Sequence, residues 1–225
     1  MSDRRLAILG SLAGLSALVV AMVAVRVAYS GNPYYEALVW NLLLAWIPFA
    51  LALYVYDAYR HGAGLLQLAL PGLLWLLFFP NAPYIVTDFK WLRTWTGAPL
   101  WYDVVLVSAA AWAGLLLGFI SLYLMQAVLR RALNALSAWA FVLGVLALSS
   151  FGIYLGRFQR SNSWDVLVRP RAFAGQLWTR LAGPGEHSRV IAVTVLFTAF
   201  LAATYLVFYS FVRATAREPT EPWQR

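Results

Sequence analysis

The chain has 225 residues, 62% of them hydrophobic and only 12% charged, and mean hydropathy is +0.70. Ordinary soluble domains hold about 45 to 50% apolar residues, so this composition excludes a soluble globule and a disordered chain and leaves an integral membrane protein. The formal net charge of +8 comes from 17 Lys+Arg against 9 Asp+Glu, and Lys90 is the sole lysine. The arginines stand between apolar runs, where they contact lipid headgroups and set topology, so nucleic acid is not an expected partner and the bilayer is. With no cysteine, the chain carries no disulfide, thiolate nucleophile or thiolate metal site.

Crossing a hydrocarbon core of about 30 Å takes roughly 20 helical residues. Six stretches meet or approach that length: residues 6–28, 37–56, 62–79, 104–129, 132–156 and 190–212. The expected fold is therefore all-α, a single six-span domain. The first run is too long for the apolar core of a secretory signal and lacks a small-x-small cleavage site after it, so it reads as a retained helix. The third holds Pro71 and is followed by Pro80 and Pro83, which predicts a kink.

Connections one, two and four are short and predict antiparallel hairpins. The two longer connections, residues 80–103 and 157–189, fall on one side of the membrane whichever way six spans are inserted. Basic residues nearly balance across the two faces; the early and tight connections favour cytoplasmic termini and external long loops, in the plasma (inner) membrane. Within the second long loop, Pro170, Phe173, Leu177, Trp178 and Leu181 predict a short amphipathic helix over residues 170–182, lying in the interface or packed on the other loop. Gly10/Gly14, Gly114/Gly118 and Gly152/Gly156 each form Gly-x-x-x-Gly, which permits close helix approach within one bundle or in a homo-oligomer.

No phosphate loop, His-Glu-x-x-His or Gly-x-Ser-x-Gly is present, and His61 and His187 fall on opposite faces, so no metal centre or cofactor is assigned. No Asp, Glu, Lys or Arg occupies the centre of a span, which disfavours a proton-coupled transporter. In-span polar residues are Asn41, Gln67, Ser108, Ser121, Ser149 and Ser150. Polar chemistry concentrates where spans meet the long loops. Asn81, Tyr84 and Asp88 leave span three, Trp101-Tyr102-Asp103 enters span four, and Arg157, Arg160, Asn162, Trp164 and Asp165 leave span five. With Glu36, these place four carboxylates and two guanidinium groups on one membrane face. Each residue also has a structural reading: Asp88 caps a short helix, Asn162 forms a turn, Arg157 pairs with a loop aspartate, and the aromatic residues form an interfacial belt.

The strings Asn81-Ala82-Pro83-Tyr84-Ile85-Val86-Thr87-Asp88, Trp101-Tyr102-Asp103, Ser149 to Phe158 and Asn162-Ser163-Trp164-Asp165 resemble the bacterial membrane-protein family called domain of unknown function 1361. The resemblance runs from about residue 40 to 178. Two positions depart from its pattern: Trp91 stands near a family histidine and Ser161 replaces a tryptophan, and the missing histidine counts against a metal centre. The resemblance implies a fold and a site but no reaction.

Two functional expectations follow. In the first, Arg157 and Arg160 hold a lipid-linked or phosphate-bearing headgroup, Asp88 and Asp165 transfer protons or hold a divalent ion as the catalytic pair, and Asn81, Tyr84, Asp103, Asn162 and Trp164 orient the ligand. In the second, the protein is a non-enzymatic membrane partner or assembly component whose polar motifs form a clasp, with Asp165 paired to Arg157 or Arg160. A transporter ranks third.

Overall fold

The computed structural model describes residues 3–93, 97–159 and 186–215. Among them the chain is helical and carries no strand: α1 (Asp3–Ser30), α2 (Glu36–Arg60), α3 (Leu65–Phe78), α4 (Asn81–Tyr84), a 3-10 segment (Ile85–Arg93), α5 (Leu100–Ala132), α6 (Ala135–Gln159) and α7 (Glu186–Thr215). Five of these helices, and the composite stretch Leu66–Leu92 that runs through α3, α4 and the 3-10 segment, are long and apolar enough to cross a membrane, consistent with a multi-pass membrane protein. Both α1–α2 and α2–α3 turn through a glycine with positive φ, Gly31 at 66° and Gly62 at 81°, a backbone region glycine occupies without steric cost.

Helix α5 is the axis of the bundle. It packs against α1, α2, α4, the 3-10 segment and α6, while α6 pairs chiefly with α7. Of its most apolar stretch 61% is buried, against 17% for α1 and for α7, whose remaining faces are left for lipid. The core has two large lobes, beside a small cluster of Tyr154, Leu155 and Val190 between α6 and α7. One gathers Leu12, Val19, Leu42, Phe49, Leu106 and Leu117 from α1, α2 and the N-terminal half of α5. The other gathers Trp75, Phe119, Leu146 and Tyr205 from α3, α5, α6 and α7. Within the second lobe two polar pairs cross between helices: Trp75 Nε1 donates to Ser121 Oγ (3.3 Å), and Tyr205 Oη donates to Gln126 Oε1 (2.7 Å), while Gln126 Nε2 has no partner among the described residues. In a medium without water, such pairing is what makes a polar side chain tolerable.

The third membrane segment differs from a plain kinked span. Helix α3 runs through Pro71 without a break, and the interruption comes later, at Phe79 and Pro80. At 14 residues and 1.5 Å per residue, α3 extends only about 21 Å, short of a hydrocarbon core of about 30 Å. The chain completes the crossing as α4 and the 3-10 segment, folded onto α5 and α2 with Ala82, Pro83, Ile85 and Asp88 buried. The stretch expected as the start of a long loop is thus part of the bundle. Irregular backbone at membrane depth is stable only when protein covers it, and glycines supply the room. A Cβ on Gly114 would lie 2.5 Å from the carbonyl oxygen of Ala82, one on Gly118 3.1 Å from Ala82 Cβ, and one on Gly152 3.3 Å from Pro80 Cβ. These glycines therefore seat the α4 turn within one chain, whereas Gly10 and Gly14 face open space.

Candidate functional site

The ends of α1, of the broken third segment and of α6 and the starts of α2, α5 and α7 share one face of the bundle by connectivity, and Asp88, Asp103 and Arg157 lie at these ends. Asp88 sits in the first turn of the 3-10 segment, where one turn after α4 turns its carboxylate inward. It forms an ion pair with Arg157 from the last turn of α6, with side chains only 5% and 7% exposed respectively. Asp88 Oδ1 also accepts from Trp91 Nε1 (3.3 Å), and Oδ2 accepts from Asn41 Nδ2 of α2 (3.1 Å). The carboxylate is thus held by three elements and does not cap a helix beginning at Phe89.

The guanidinium of Arg157 is fixed as firmly. Its Nε donates to Thr87 Oγ1 (2.8 Å), Nη2 donates to Thr87 and to Asp88, and Thr87 Oγ1 in turn donates to the Tyr84 carbonyl (2.7 Å). The ring of Tyr84 lies 4.5 Å and that of Trp91 6.0 Å from the guanidinium carbon, so aromatic faces cover the cation. Described hydrogen bonds use Nε and Nη2; Nη1 lies outside them. Trp91, near the position of the histidine in the pattern the chain resembles, supplies an N–H donor but has no lone pair with which to bind a metal. Among the described residues no group of three or more His, Asp or Glu side chains gathers.

Asn81 occupies the break itself, where its Nδ2 donates to the Phe78 carbonyl (2.9 Å) and closes the end of α3. Glu36 begins α2 but is exposed and stands apart from the pair. Arg160, Asn162, Trp164 and Asp165 lie outside the described residues, as does the expected helix over 170–182.

Asp103 belongs to a different pair. It lies inside the first turn of α5 and receives Arg26 of α1 side-on, Nε to Oδ1 at 2.7 Å and Nη2 to Oδ2 at 3.2 Å, with side chains 2% and 3% exposed. Tyr35 covers the guanidinium at 5.1 Å, and Tyr102 Oη ties the same junction by donating to the Met22 carbonyl (2.9 Å). Sequence reasoning placed Asp103 with the other carboxylates and passed over Arg26. The signal was present: an arginine one turn inside the end of an apolar helix demands a counter-charge, and Asp103 heads another such helix. Thr87 and Trp91 were likewise not singled out as parts of the polar knot, and Asn41 was named only as a polar residue at the start of the second span.

On the opposite face, Arg5 pairs with Asp57 through two hydrogen bonds of 3.0 and 2.7 Å, both side chains partly exposed. Arg130 Nη1 donates there to Tyr209 Oη (3.0 Å). No curated protein and no solved structure matches the chain. A family model, described as protein of unknown function (DUF1361), matches residues 40–204, a range that takes in the broken third segment, both aspartates and Arg157, and the chain belongs to that family.

Proposed function

We propose that the Asp88–Arg157 centre binds a phosphate-bearing, lipid-linked headgroup at one interface of the membrane, with the fixed guanidinium as the anion-holding group. The observation that carries this reading is the way Arg157 is held: Nε and Nη2 are spent on Thr87 and Asp88 while Nη1 lies outside the described hydrogen bonds. A guanidinium so oriented is organised in advance for a phosphate oxygen, which favours binding because little side-chain entropy is lost. Asp88, engaged by three donors, acts as a positioning group for Arg157 rather than as a free base. Any proton transfer or metal holding in this proposal falls to Asp165, which Arg160, Asn162 and Trp164 accompany in the sequence.

The proposed setting is the plasma membrane with both termini cytoplasmic. Arg26 and Arg157 are consumed in buried pairs, which gives these two arginines a reason to lie on the outer face other than topology.

The test is binding of a short-chain polyprenyl phosphate to the purified chain. Arg157→Lys keeps the charge and loses the fork, and is expected to weaken binding by about tenfold or more, the worth of a hydrogen bond to a charged group. Equal affinity in the two proteins would sink the proposal. A second reading, a purely structural clasp, is favoured by the saturation of both Asp88 oxygens. Under it the wild type binds no headgroup at this centre, and the swapped pair Asp88→Arg with Arg157→Asp recovers stability that either single change loses.

A further inference from the structure

A groove of about 210 Å³ runs between α6 and α7 in the half of the bundle away from the Asp88–Arg157 centre, lined by Trp139, Leu143 and Leu146 of α6 and by Ala203, Tyr205 and Leu206 of α7. Leu143 and Leu206 on its two walls are 51% and 53% exposed, so it opens sideways, where the acyl chains of a bilayer lie. Water in such a space needs about two to four polar partners. The hydroxyl of Tyr205 is already given to Gln126, and the other walls are almost wholly apolar, so the groove is a place for hydrocarbon.

The polar end of the occupant follows from what stands above the groove. Tyr209 lies one turn beyond Tyr205, about 6 Å along α7 at 1.5 Å per residue, and two arginines converge on it. Arg130, from the last turn of α5, donates Nη1 to Tyr209 Oη (3.0 Å), and Arg213, from the last turn of α7, lies over the same ring at 5.5 Å. Tyr209 also meets the groove's own wall, edge to face with Trp139 at 4.9 Å. Arg130 is exposed and Arg213 partly so, which leaves their remaining N–H groups open to a ligand, and neither enters an ion pair among the described residues. Arg131, exposed beside Arg130, adds a third such charge. Trp139 in the groove wall is partly exposed, and its indole N–H makes no hydrogen bond among the described residues. The headgroup layer is roughly 5 to 8 Å deep on each side of the hydrocarbon, which matches the single turn between groove and arginines.

We infer that the α6–α7 groove seats one anionic glycerophospholipid, with an acyl chain along Leu143, Ala203 and Leu206 and the phosphate held by Arg130 and Arg213. A zwitterionic lipid carries its own cation, which these unpaired arginines repel, so an anionic headgroup is selected. Because the charges are exposed, binding weakens as salt is raised. The site is distinct from the Asp88–Arg157 centre: it lies on the opposite face, and its guanidinium groups are accessible rather than enclosed.

The experiment is native mass spectrometry of the full chain in detergent, titrated with phosphatidylglycerol, with phosphatidylcholine of the same acyl chains, and with soluble glycerol phosphate. Three variants are compared. Arg130→Gln with Arg213→Gln removes the two cations. Arg5→Gln with Arg60→Gln removes as much charge from the same face, at helices that do not line the groove. Ala203→Phe fills the groove from an exposed position. Every substituted side chain is at least partly exposed, so the fold does not depend on any of them. Wild type is expected to bind one phosphatidylglycerol at least about tenfold more tightly than the first and third variants do, and more tightly than it binds phosphatidylcholine, while the Arg5 and Arg60 variant binds as wild type does. Unchanged affinity after loss of Arg130 and Arg213, or phosphatidylcholine bound as tightly as phosphatidylglycerol, would overturn the inference. An equal loss in the Arg5 and Arg60 variant would overturn it too, assigning the attraction to the net charge of the face. Full affinity in Ala203→Phe would place the lipid outside the groove, and a dimer abolished by that change would assign the groove to a second copy of the chain. Displacement by glycerol phosphate at matching concentration would overturn the lipid as source. No variant alters Asp88 or Arg157, so failure here is separable from failure of the function proposed above.

Discussion

Replacing Gly114 by alanine puts a methyl group where the structure has a carbonyl. The added Cβ would stand 2.5 Å from the Ala82 oxygen and 2.9 Å from Ile85 Cδ1, whereas real Cβ contacts essentially never fall under 3.0 Å. The isoleucine can shift a terminal methyl, but the carbonyl is backbone, so the α4 turn must retreat from α5 by at least about 0.5 Å, the difference between those distances. Overpacking of this kind costs about 1 to 3 kcal/mol, and alanine returns up to about 1 kcal/mol as the better helix former. The net expectation is a loss of about 1 to 2 kcal/mol, or roughly 2 to 8 °C in Tm for a chain of this size. Gly10→Ala is the matched control: nothing lies within 4 Å of its added Cβ, so only the propensity gain remains and Tm holds or rises. Thermal unfolding in one detergent, followed by loss of the monodisperse peak on gel filtration, measures both. If Gly114→Ala proved as stable as Gly10→Ala, the seating of the α4 turn on α5 would be wrong; a drop for Gly10→Ala would instead reveal a second helix against α1.

Three more outcomes are expected. Arg26→Ala strands the buried carboxylate of Asp103 and should cost about 3 to 5 kcal/mol, while Arg26→Met with Asp103→Leu, which removes both charges, should be clearly more stable than the single variant in the same unfolding assay. Tyr205→Phe deprives Gln126 Oε1 of its donor in a site where Gln126 Nε2 already has no acceptor among the described residues, for a loss of about 0.5 to 1.5 kcal/mol. Arg5→Ala breaks a partly exposed pair between α1 and α2 and should shift stability by no more than about 1 kcal/mol, an effect that fades as salt is raised.

The six apolar runs were legible because a bilayer imposes length and uniformity on each span, and both signals are local. The shared face of the long connections followed from parity alone. What the residues concealed was pairing across distance. Asp88 and Arg157 were recognised as members of one polar face, but their partners depend on which way a 3-10 turn faces and where α6 ends, neither of which a hydropathy pattern encodes. Asp103 was assigned to the wrong company for the same reason: its partner Arg26 lies 77 positions earlier. Pro71 looked like the cause of a kink, yet the helix tolerates it, and the break comes at Phe79-Pro80, where Gly114 and Gly118 leave space for a turn. Two Gly-x-x-x-Gly patterns that look alike on paper serve unlike ends, since Gly114 is filled by the chain's own turn and Gly10 is not. The stretch from Arg160 to Asp165, central to the sequence argument, lies outside the described residues.

The separation of Arg26 from Asp103 also sets a timetable for biosynthesis. The two are 77 residues apart, and at about 5 to 20 residues per second the arginine enters the membrane roughly 4 to 15 seconds before its counter-charge exists. Its place one turn from the end of α1 lets the side chain reach headgroup water through that interval, so α1 inserts without waiting. Asp88 faces a similar delay of 69 residues before Arg157 is made. The third segment, too short as a helix to span on its own and carrying that carboxylate, finds the partners that cover and neutralise it only in α5 and α6. Each buried ion pair thus joins an early segment to one made much later, so neither is complete until the second half of the bundle has been synthesised.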